Sequence, residues 1–212
     1  MKAFKVLAIV GSYRKDGVID RAIDEILASA AEEGAETEKI FLIDKHIEFC
    51  TNCRTCVEEK GLRRSTCIID DDMSDLLEKI EGADALVLGS PMNFGTVTAV
   101  MKRFIERLVC YAYWPWGTHI PKVRNREKKR RTVIVASSAA PSLIARLSSR
   151  LVKLLKDASG LVGADPTGVL FIGCAAGEKH QDIGDRARKK ARRLGKRLVI
   201  HNGPATWHPC RN

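Results

Sequence analysis

One stretch constrains the fold more than any other: Ala83-Asp84-Ala85-Leu86-Val87-Leu88-Gly89-Ser90-Pro91-Met92-Asn93-Phe94-Gly95. Ala85 to Leu88 is a short, wholly apolar run, opened by Asp84 and closed by Gly89, as a strand buried on both faces should be. Ser90-Pro91 ends it, because proline has no N–H for a ladder and restricts the residue before it. Beyond Gly95, Val97, Val100, Met101, Phe104, Ile105 and Leu108 recur at helical spacing. Strand, tight loop and amphipathic helix in close succession make a βα unit. In open parallel sheets the loops at the carboxyl ends of strands form the ligand crevice, so this loop is expected to wall a site.

The same unit recurs along the chain. Phe4 to Val10 is a strand, followed by a Gly11 to Gly17 loop and a helix with Ile23, Ile26, Leu27 and Ala30 on one face, stopped at Gly34. Thr37 to Ile43 is a second strand. A polar segment from Asp44 to Asp71 then carries four cysteines, and Asp70, Asp71 and Asp72 mark the start of a short helix over Ser74 to Ile80. Thr132 to Ala136 and Val169 to Ile172 are the remaining strands. Between them one helix is expected to carry Ile144, Leu147, Leu151, Leu154, Leu155 and Ala158 inward and to end at Gly160. The last helix turns Ile183, Ala187, Ala191, Leu194 and Leu198 inward. Five such repeats predict an α/β, doubly wound parallel sheet with helices on both faces. The chain is read as a single domain over 1–212, with a cysteine-rich insertion at about 48–68 and an irregular tail at 201–212.

At 212 residues, 45% hydrophobic and 29% charged, the composition is globular. No apolar run approaches the ~20 residues of a membrane span. Met1 to Val10 carries Lys2, Lys5 and a brief apolar core, but the core is too short for a signal peptide and Arg14, Lys15 and Asp16 follow where one would be cleaved. A cytoplasmic protein with no membrane partner is expected. The formal net charge is +10, with basic residues gathered at Arg124 to Arg131 (Arg126, Lys128, Lys129, Arg130) and at Arg186 to Arg197. Aromatics for base stacking are not interleaved with them, so they read as a solvated loop and helix face rather than a nucleic-acid site. Trp114-Pro115-Trp116-Gly117 lies in a long connection and either covers a pocket or pins a surface turn.

The Gly11-Ser12-x-Arg14-x-x-Gly17 loop places N–H groups, a hydroxyl and positive charge at a helix start, a ready anion site. It matches neither the dinucleotide fingerprint nor the P-loop. This loop, the Cys50-x-x-Cys53-x-x-Cys56 segment with Cys67 and Asp70-Asp71-Asp72-Met73, and Gly89 to Gly95 followed by Lys102-Arg103-Phe104-Ile105-Glu106-Arg107 carry a resemblance. Over roughly residues 4 to 110 the chain resembles the flavodoxin-like NAD(P)H-dependent FMN reductases, and within them the iron–sulfur flavoprotein branch. The resemblance implies a 2-1-3-4-5 sheet with FMN at its switch point. It implies that Ser12, Arg14, Lys15, Asp16, Gly17, Val18 and Ile19 hold the phosphate. Pro91, Met92, Asn93, Phe94, Gly95 and Thr96 would lie against the flavin ring, with Ser137, Ser138 and Ala139 at its other edge.

Two departures matter. Val18, Ile19 and Asp20 stand where the family has a hydroxyl for the phosphate, so backbone N–H groups, Ser12, Arg14 and Lys15 must do more and Asp20 must point away. Asn93 replaces an aromatic common in the ring loop, so that flavin stacking is either weaker or comes from Phe94. Cys50, Cys53, Cys56 and Cys67 suffice in number for a [4Fe–4S] cluster, although residues 57–66 make a longer gap than the branch usually shows. A structural zinc ion or free thiols remain alternative readings, and a disulfide suits a cytosolic chain poorly. Cys110, Cys174 and Cys210 read as buried or incidental.

The implied activity passes electrons from NAD(P)H through FMN to an acceptor such as a quinone, a flavin or oxygen. The flavin carries the chemistry, so no catalytic side chain is assigned. The alternative is an electron relay from ferredoxin through the cluster to FMN, with the basic surface docking an acidic partner. A homodimer or homotetramer is expected, with the Trp114 loop and the tail as contact regions. Arg14→Ala is expected to lower FMN affinity ~10-fold or more, the scale of one charge-assisted hydrogen bond; an unchanged FMN titration would remove Arg14 from the site.

Overall fold

The computed structural model describes residues 3–124, 127, 130–178 and 180–200. In chain order the elements are β1 (Lys5–Val10), α1 (Val18–Glu32), β2 (Glu36–Phe41), α2 (Thr55–Glu58), α3 (Met73–Gly82), β3 (Ala85–Pro91), α4 (Ala99–Arg107), β4 (Ala112–Tyr113), β5 (Lys122–Val123), β6 (Arg130–Ser137), α5 (Ser142–Ser148), α6 (Leu151–Leu161), β7 (Ala164–Ile172) and α7 (Asp185–Ile200). Five strands form a parallel sheet in the order β2-β1-β3-β6-β7, the flavodoxin-like order expected from the sequence. β4 and β5 pair apart from it as a small antiparallel ribbon.

Side chains alternate across the sheet with the strand period of two. Leu7, Ile9, Leu86, Leu88, Ile134 and Ala136 face a core built with α3, α4 and α6. Val6, Ala8, Val10, Ala85, Val87, Val133 and Val135 face α1 and α7. The chain leaves β1 in one direction to β2 and in the other to β3, so the switch point lies between β1 and β3. Val10 is level with Gly89, and Pro91 with Ser137. The register therefore ends β1, β3 and β6 at one edge, which brings the three loops after them together.

Several boundaries differ from the sequence reading. The single helix expected from Ile144 to Gly160 is two helices. Ser149 is extended (φ −121°, ψ 154°) and the Arg150 N–H donates to the Gly95 carbonyl at 3.0 Å, so the backbone there serves the loop after β3 instead of a helix. Ile144 and Leu147, expected inward, are consequently exposed. α6 passes Gly160, and the left-handed turn falls at Gly163 (φ +70°). β7 begins earlier, at Ala164, and accommodates Pro166 because it is an edge strand with a register shift opposite Thr132 and Val133. β2 stops at Phe41, and Leu42–Asp44 makes a 3-10 turn that buries Leu42 and exposes Ile43.

Arg124, expected in a solvated loop, is buried. Arg126, Lys128 and Lys129, and the tail with Trp207 and Cys210, lie outside the described residues. Cys110 is buried and Cys174 exposed. Three cations of α7 face carboxylates of α1, of the residue after it and of the turn before α7: Arg188 pairs with Glu25 and Asp182, Arg192 with Glu25 and Glu32, and Lys196 with Glu33. Among the described residues no helix is long and apolar enough to cross a membrane.

α1 and α7 cross with almost no space between them. Ser29 Oγ donates to the Arg192 carbonyl at 2.8 Å, and a Cβ on Gly195 would lie 2.2 Å from the Ile26 carbonyl oxygen. In an open helix Gly→Ala gains about 1 kcal/mol. Here the contact is with backbone that cannot swing aside, so Gly195→Ala is expected to destabilise the protein by about 1–3 kcal/mol. A melting temperature raised by the substitution would contradict this crossing.

Candidate functional site

The loop after β1 is shaped by its own atoms. Ser12 Oγ accepts from the Arg14 N–H and donates to the Arg14 carbonyl, each at 3.1 Å. Asp16 takes a left-handed conformation (φ +59°) and Gly17 opens α1. Gly17 offers no side-chain acceptor, so the first-turn N–H groups of this helix have no side-chain cap. Such an end favours an anion through its dipole and its open donors. Asp20 is turned away as required: its carboxylate accepts from the Asp16 N–H at 2.8 Å and from Lys39 Nζ at 2.6 Å.

Ser12, Arg14, Gly17, Val18 and Ile19 line a cavity of about 80 Å³ together with Pro91, Ser137, Ala175, Glu178 and Gln181. That is room for a group the size of a few waters, the scale of a phosphate. Lys15 and Asp16 do not line it: Lys15 Nζ pairs with Asp44 at 2.8 Å and lies over the Phe41 ring. Ala175, Glu178 and Gln181, from the loop after β7, were not legible as site residues; only their position after the last strand pointed there. Gln181 pins that loop by donating to the Cys174 carbonyl (2.8 Å) and accepting from the Gly177 N–H (3.0 Å). A larger groove, about 420 Å³ and lined by Lys5, Glu36 and Glu38 among others, sits at the amino-terminal strand ends, the wrong edge for a ligand crevice.

The loop after β3 is tied to its neighbours by backbone and hydroxyl bonds. Ser90 Oγ accepts from the Thr98 N–H at 3.2 Å, and Thr98 Oγ1 donates to the Gly11 carbonyl at 2.5 Å while capping α4 through the Met101 N–H. The Met92 N–H donates to the Ser137 carbonyl at 2.8 Å. Asn93 and Thr96 exchange both backbone bonds around Phe94 (φ +48°) and Gly95 (φ +75°), a two-residue turn of the type that needs positive φ at both positions. Gly95 suits this; Phe94 does so under strain, with its ring wholly exposed at the tip. Ser138 is buried and bonded to Ile172 and Ala140, and Ala139 is exposed beside it.

Beside this edge, Cys50, Cys53, Cys56 and Cys67 line one small, mainly apolar cavity with Arg54, Arg107 and Trp114. Asn52 (φ +54°) and Arg54 (φ +65°) fold the chain back between successive cysteines. The Arg54 guanidinium lies over the rings of Trp114 (3.9 Å) and Trp116 (4.2 Å), and of the two tryptophans Trp114 lines this pocket. The long gap over 57–66 closes through Arg124. Its guanidinium donates to the carbonyls of Cys56 (3.0 Å), Glu59 (2.7 Å) and Cys110 (3.1 Å) and to Ser65 Oγ (3.0 Å).

Arg107, at the end of α4, bonds both carboxylate oxygens of Asp71, the Glu48 carbonyl (2.9 Å) and Cys67 Sγ (3.6 Å). Burial works to raise the Asp71 pKa, but the Arg107 bonds and the N–H groups of Glu48 and Met73 outweigh it and hold the carboxyl below its usual range. The sequence held a signal for Arg107, three residues after Phe104 and seven after Val100 on the apolar stripe. For Arg124 it held none.

Among the described residues no three His, Cys, Asp or Glu are drawn together as a single metal ion requires. Four cysteines lining one small cavity are the donor set that a [4Fe–4S] cluster takes.

A family model described as NADPH-dependent FMN reductase matches residues 4–164. The chain is 33% identical over 196 residues to an iron–sulfur flavoprotein of Archaeoglobus fulgidus, covering 92% of this chain and 79% of that one. It is 42% identical over 103 residues to an iron–sulfur flavoprotein of Methanocaldococcus jannaschii, but that match spans only 49% of this chain and 51% of the relative. Among solved structures, an azoreductase from Bacillus anthracis superposes with a TM-score of 0.67 at 15% identity, covering 92% of this chain and 99% of the other, a likeness of fold.

The cysteines differ in reactivity when metal-free. Burial, with Cys67, Cys50 and Cys53 close by, pushes the Cys56 thiol up to about 11, whereas hydrogen bonds from Thr55 hold the exposed Cys53 below its ordinary value. The thiolate is the nucleophile. In metal-free protein at pH 8, iodoacetamide should label Cys53 well before Cys56, and raising the pH towards 11 should close the gap. Equal labelling at pH 8, mapped by peptide mass spectrometry, would contradict the arrangement.

Proposed function

Because the chain belongs to the NADPH-dependent FMN reductase family, in its iron–sulfur flavoprotein branch, it is an FMN-dependent oxidoreductase, and we propose that it draws electrons from NAD(P)H and delivers them to a quinone, a flavin or oxygen. The observation that carries this reading is the phosphate-sized cavity at the switch point, walled by Ser12, Arg14, Gly17, Pro91 and Ser137 at the uncapped start of α1. Ser12, the first-turn N–H groups of α1 and Arg14 hold the phosphate, with Val18 and Ile19 contributing backbone in place of hydroxyls. Gln181 closes the cavity from the side of β7.

Bound FMN supplies hydride acceptance and the onward release of electrons. The chain orients it. The turn from Asn93 to Thr96, braced by the Met92–Ser137 and Arg150–Gly95 bonds, borders one side of the ring, and Ser137 to Ala139 the other. No side chain is required to move a proton. The exposed Leu143, Ile144 and Leu147 of α5 support the homo-oligomer expected from the sequence.

A second reading is favoured by the convergence of the four cysteines: Cys50, Cys53, Cys56 and Cys67 would hold a [4Fe–4S] cluster, which would supply single-electron transfer from a ferredoxin to FMN. The two readings part in one anaerobic experiment. NADPH or NADH should bleach the flavin absorbance of FMN-loaded protein, and a quinone should restore it with turnover. Reduction by reduced ferredoxin alone would select the relay. Reduction by neither would overturn both.

A further inference from the structure

Arg107 takes no part in the loops around the cofactor cavity, yet its side chain is 2% exposed and that of its partner Asp71 0%. A buried cation needs a compensating anion and a use for its remaining donors. Asp71 is itself aimed, accepting from the N–H groups of Glu48 (2.8 Å) and Met73 (3.0 Å). A guanidinium is a rigid planar fork of five donors. Once two are fixed on Asp71, the direction of the others is fixed, and they meet the Glu48 carbonyl at 2.9 Å and Cys67 Sγ at 3.6 Å. A lysine would hold the charge there but not all these bonds together.

We propose that Arg107 is a positioning residue that sets the reduction potential of the group held by the cysteine pocket, by donating a hydrogen bond to Cys67 Sγ while Asp71 cancels most of its charge. The proposal rests on the reading of that pocket as a [4Fe–4S] site. The reduced cluster carries one more negative charge than the oxidised one, and a donor aimed at a ligand sulfur stabilises it more, raising the potential. The ion pair makes the effect testable by sign. Arg107→Gln removes the cation and leaves the Asp71 carboxylate near the sulfur, which lowers the potential. Asp71→Asn leaves the Arg107 charge uncancelled, which raises it. A residue that only braced the fold would not shift the potential in opposite directions through its two halves.

The experiment uses the full chain, loaded with FMN and reconstituted anaerobically with iron and sulfide, as wild type, Arg107→Gln, Arg107→Lys and Asp71→Asn. Iron, acid-labile sulfide and FMN are assayed, and the cluster is titrated potentiometrically with detection by electron paramagnetic resonance. The expected result is about four irons and four sulfides per wild-type chain, with the midpoint shifted down in Arg107→Gln and up in Asp71→Asn. If Arg107→Gln does not hold the cluster, Arg107→Lys decides: it keeps the charge, loses the fork and with it the bond to Cys67, and should shift the midpoint down, opposite in sign to Asp71→Asn. A cluster-bearing wild type whose variants keep its midpoint, or shift together, overturns the role of Arg107. A wild type that binds FMN but no iron or sulfide overturns the reading of the pocket, and the proposal with it.

Discussion

The hydrogen bond from Thr98 to the Gly11 carbonyl joins the two loops on which everything at the carboxyl edge of the sheet depends. Gly11 ends the first strand and Thr98 starts the helix after the third, so one hydroxyl fixes the anion loop to the loop after β3. The contact is possible because Gly11 has no side chain: a Cβ there would lie 2.6 Å from Met101 Cβ, one turn into the same helix. The same hydroxyl caps α4, whose far end carries Arg107 into the cysteine pocket. The carboxyl edge of the sheet and the cysteine pocket are thus joined by one short helix, anchored at both ends.

What the sequence revealed and what it hid divide along a physical line. Strands such as Ala85 to Leu88 were legible because burial on both faces demands an unbroken apolar run. The loop from Gly11 to Gly17 was legible as a connection between strand and helix, whereas its use for an anion rested on the resemblance, because many such turns look alike. The fate of Asp20, on α1, was not legible, since nothing in its neighbours announces that Lys39, on β2, draws its carboxylate aside. The break between α5 and α6 was hidden for the same reason. Residues 144–158 are spaced as one amphipathic helix, and the competing partner of the Arg150 N–H is the carbonyl of Gly95, distant in sequence. Periodicity reports the face a helix would bury, and tertiary hydrogen bonds decide where it ends.

Charge was legible only in part. The basic runs read as a solvated loop and helix face. Several of the chain's cations have partners within the fold: Arg188, Arg192 and Lys196 of α7 meet Glu25, Glu32 and Glu33, Arg124 and Arg107 are buried, and Arg54 lies over two tryptophan rings. Arginine rather than lysine fills the buried positions because its fork can satisfy several carbonyls at once without losing its charge. Composition counts the cations and cannot tell a solvent-facing lysine from a guanidinium that laces a loop together.

Arg124 changes what the spacing of the cysteines means. A metal loop closed by its own backbone has a length set by the ring it must complete. Here the segment between Cys56 and Cys67 is closed from outside, by a side chain that belongs to the connection after β5 and grips carbonyls at Cys56, Glu59 and Cys110. The closure entropy of the segment itself grows only slowly with length. Residues 57–66 are therefore an expansion joint: chains of this architecture can differ there in length and composition while the four sulfurs keep their places. A pattern written as fixed intervals between cysteines would not describe this loop, because its closure depends on Arg124 and not on the interval alone.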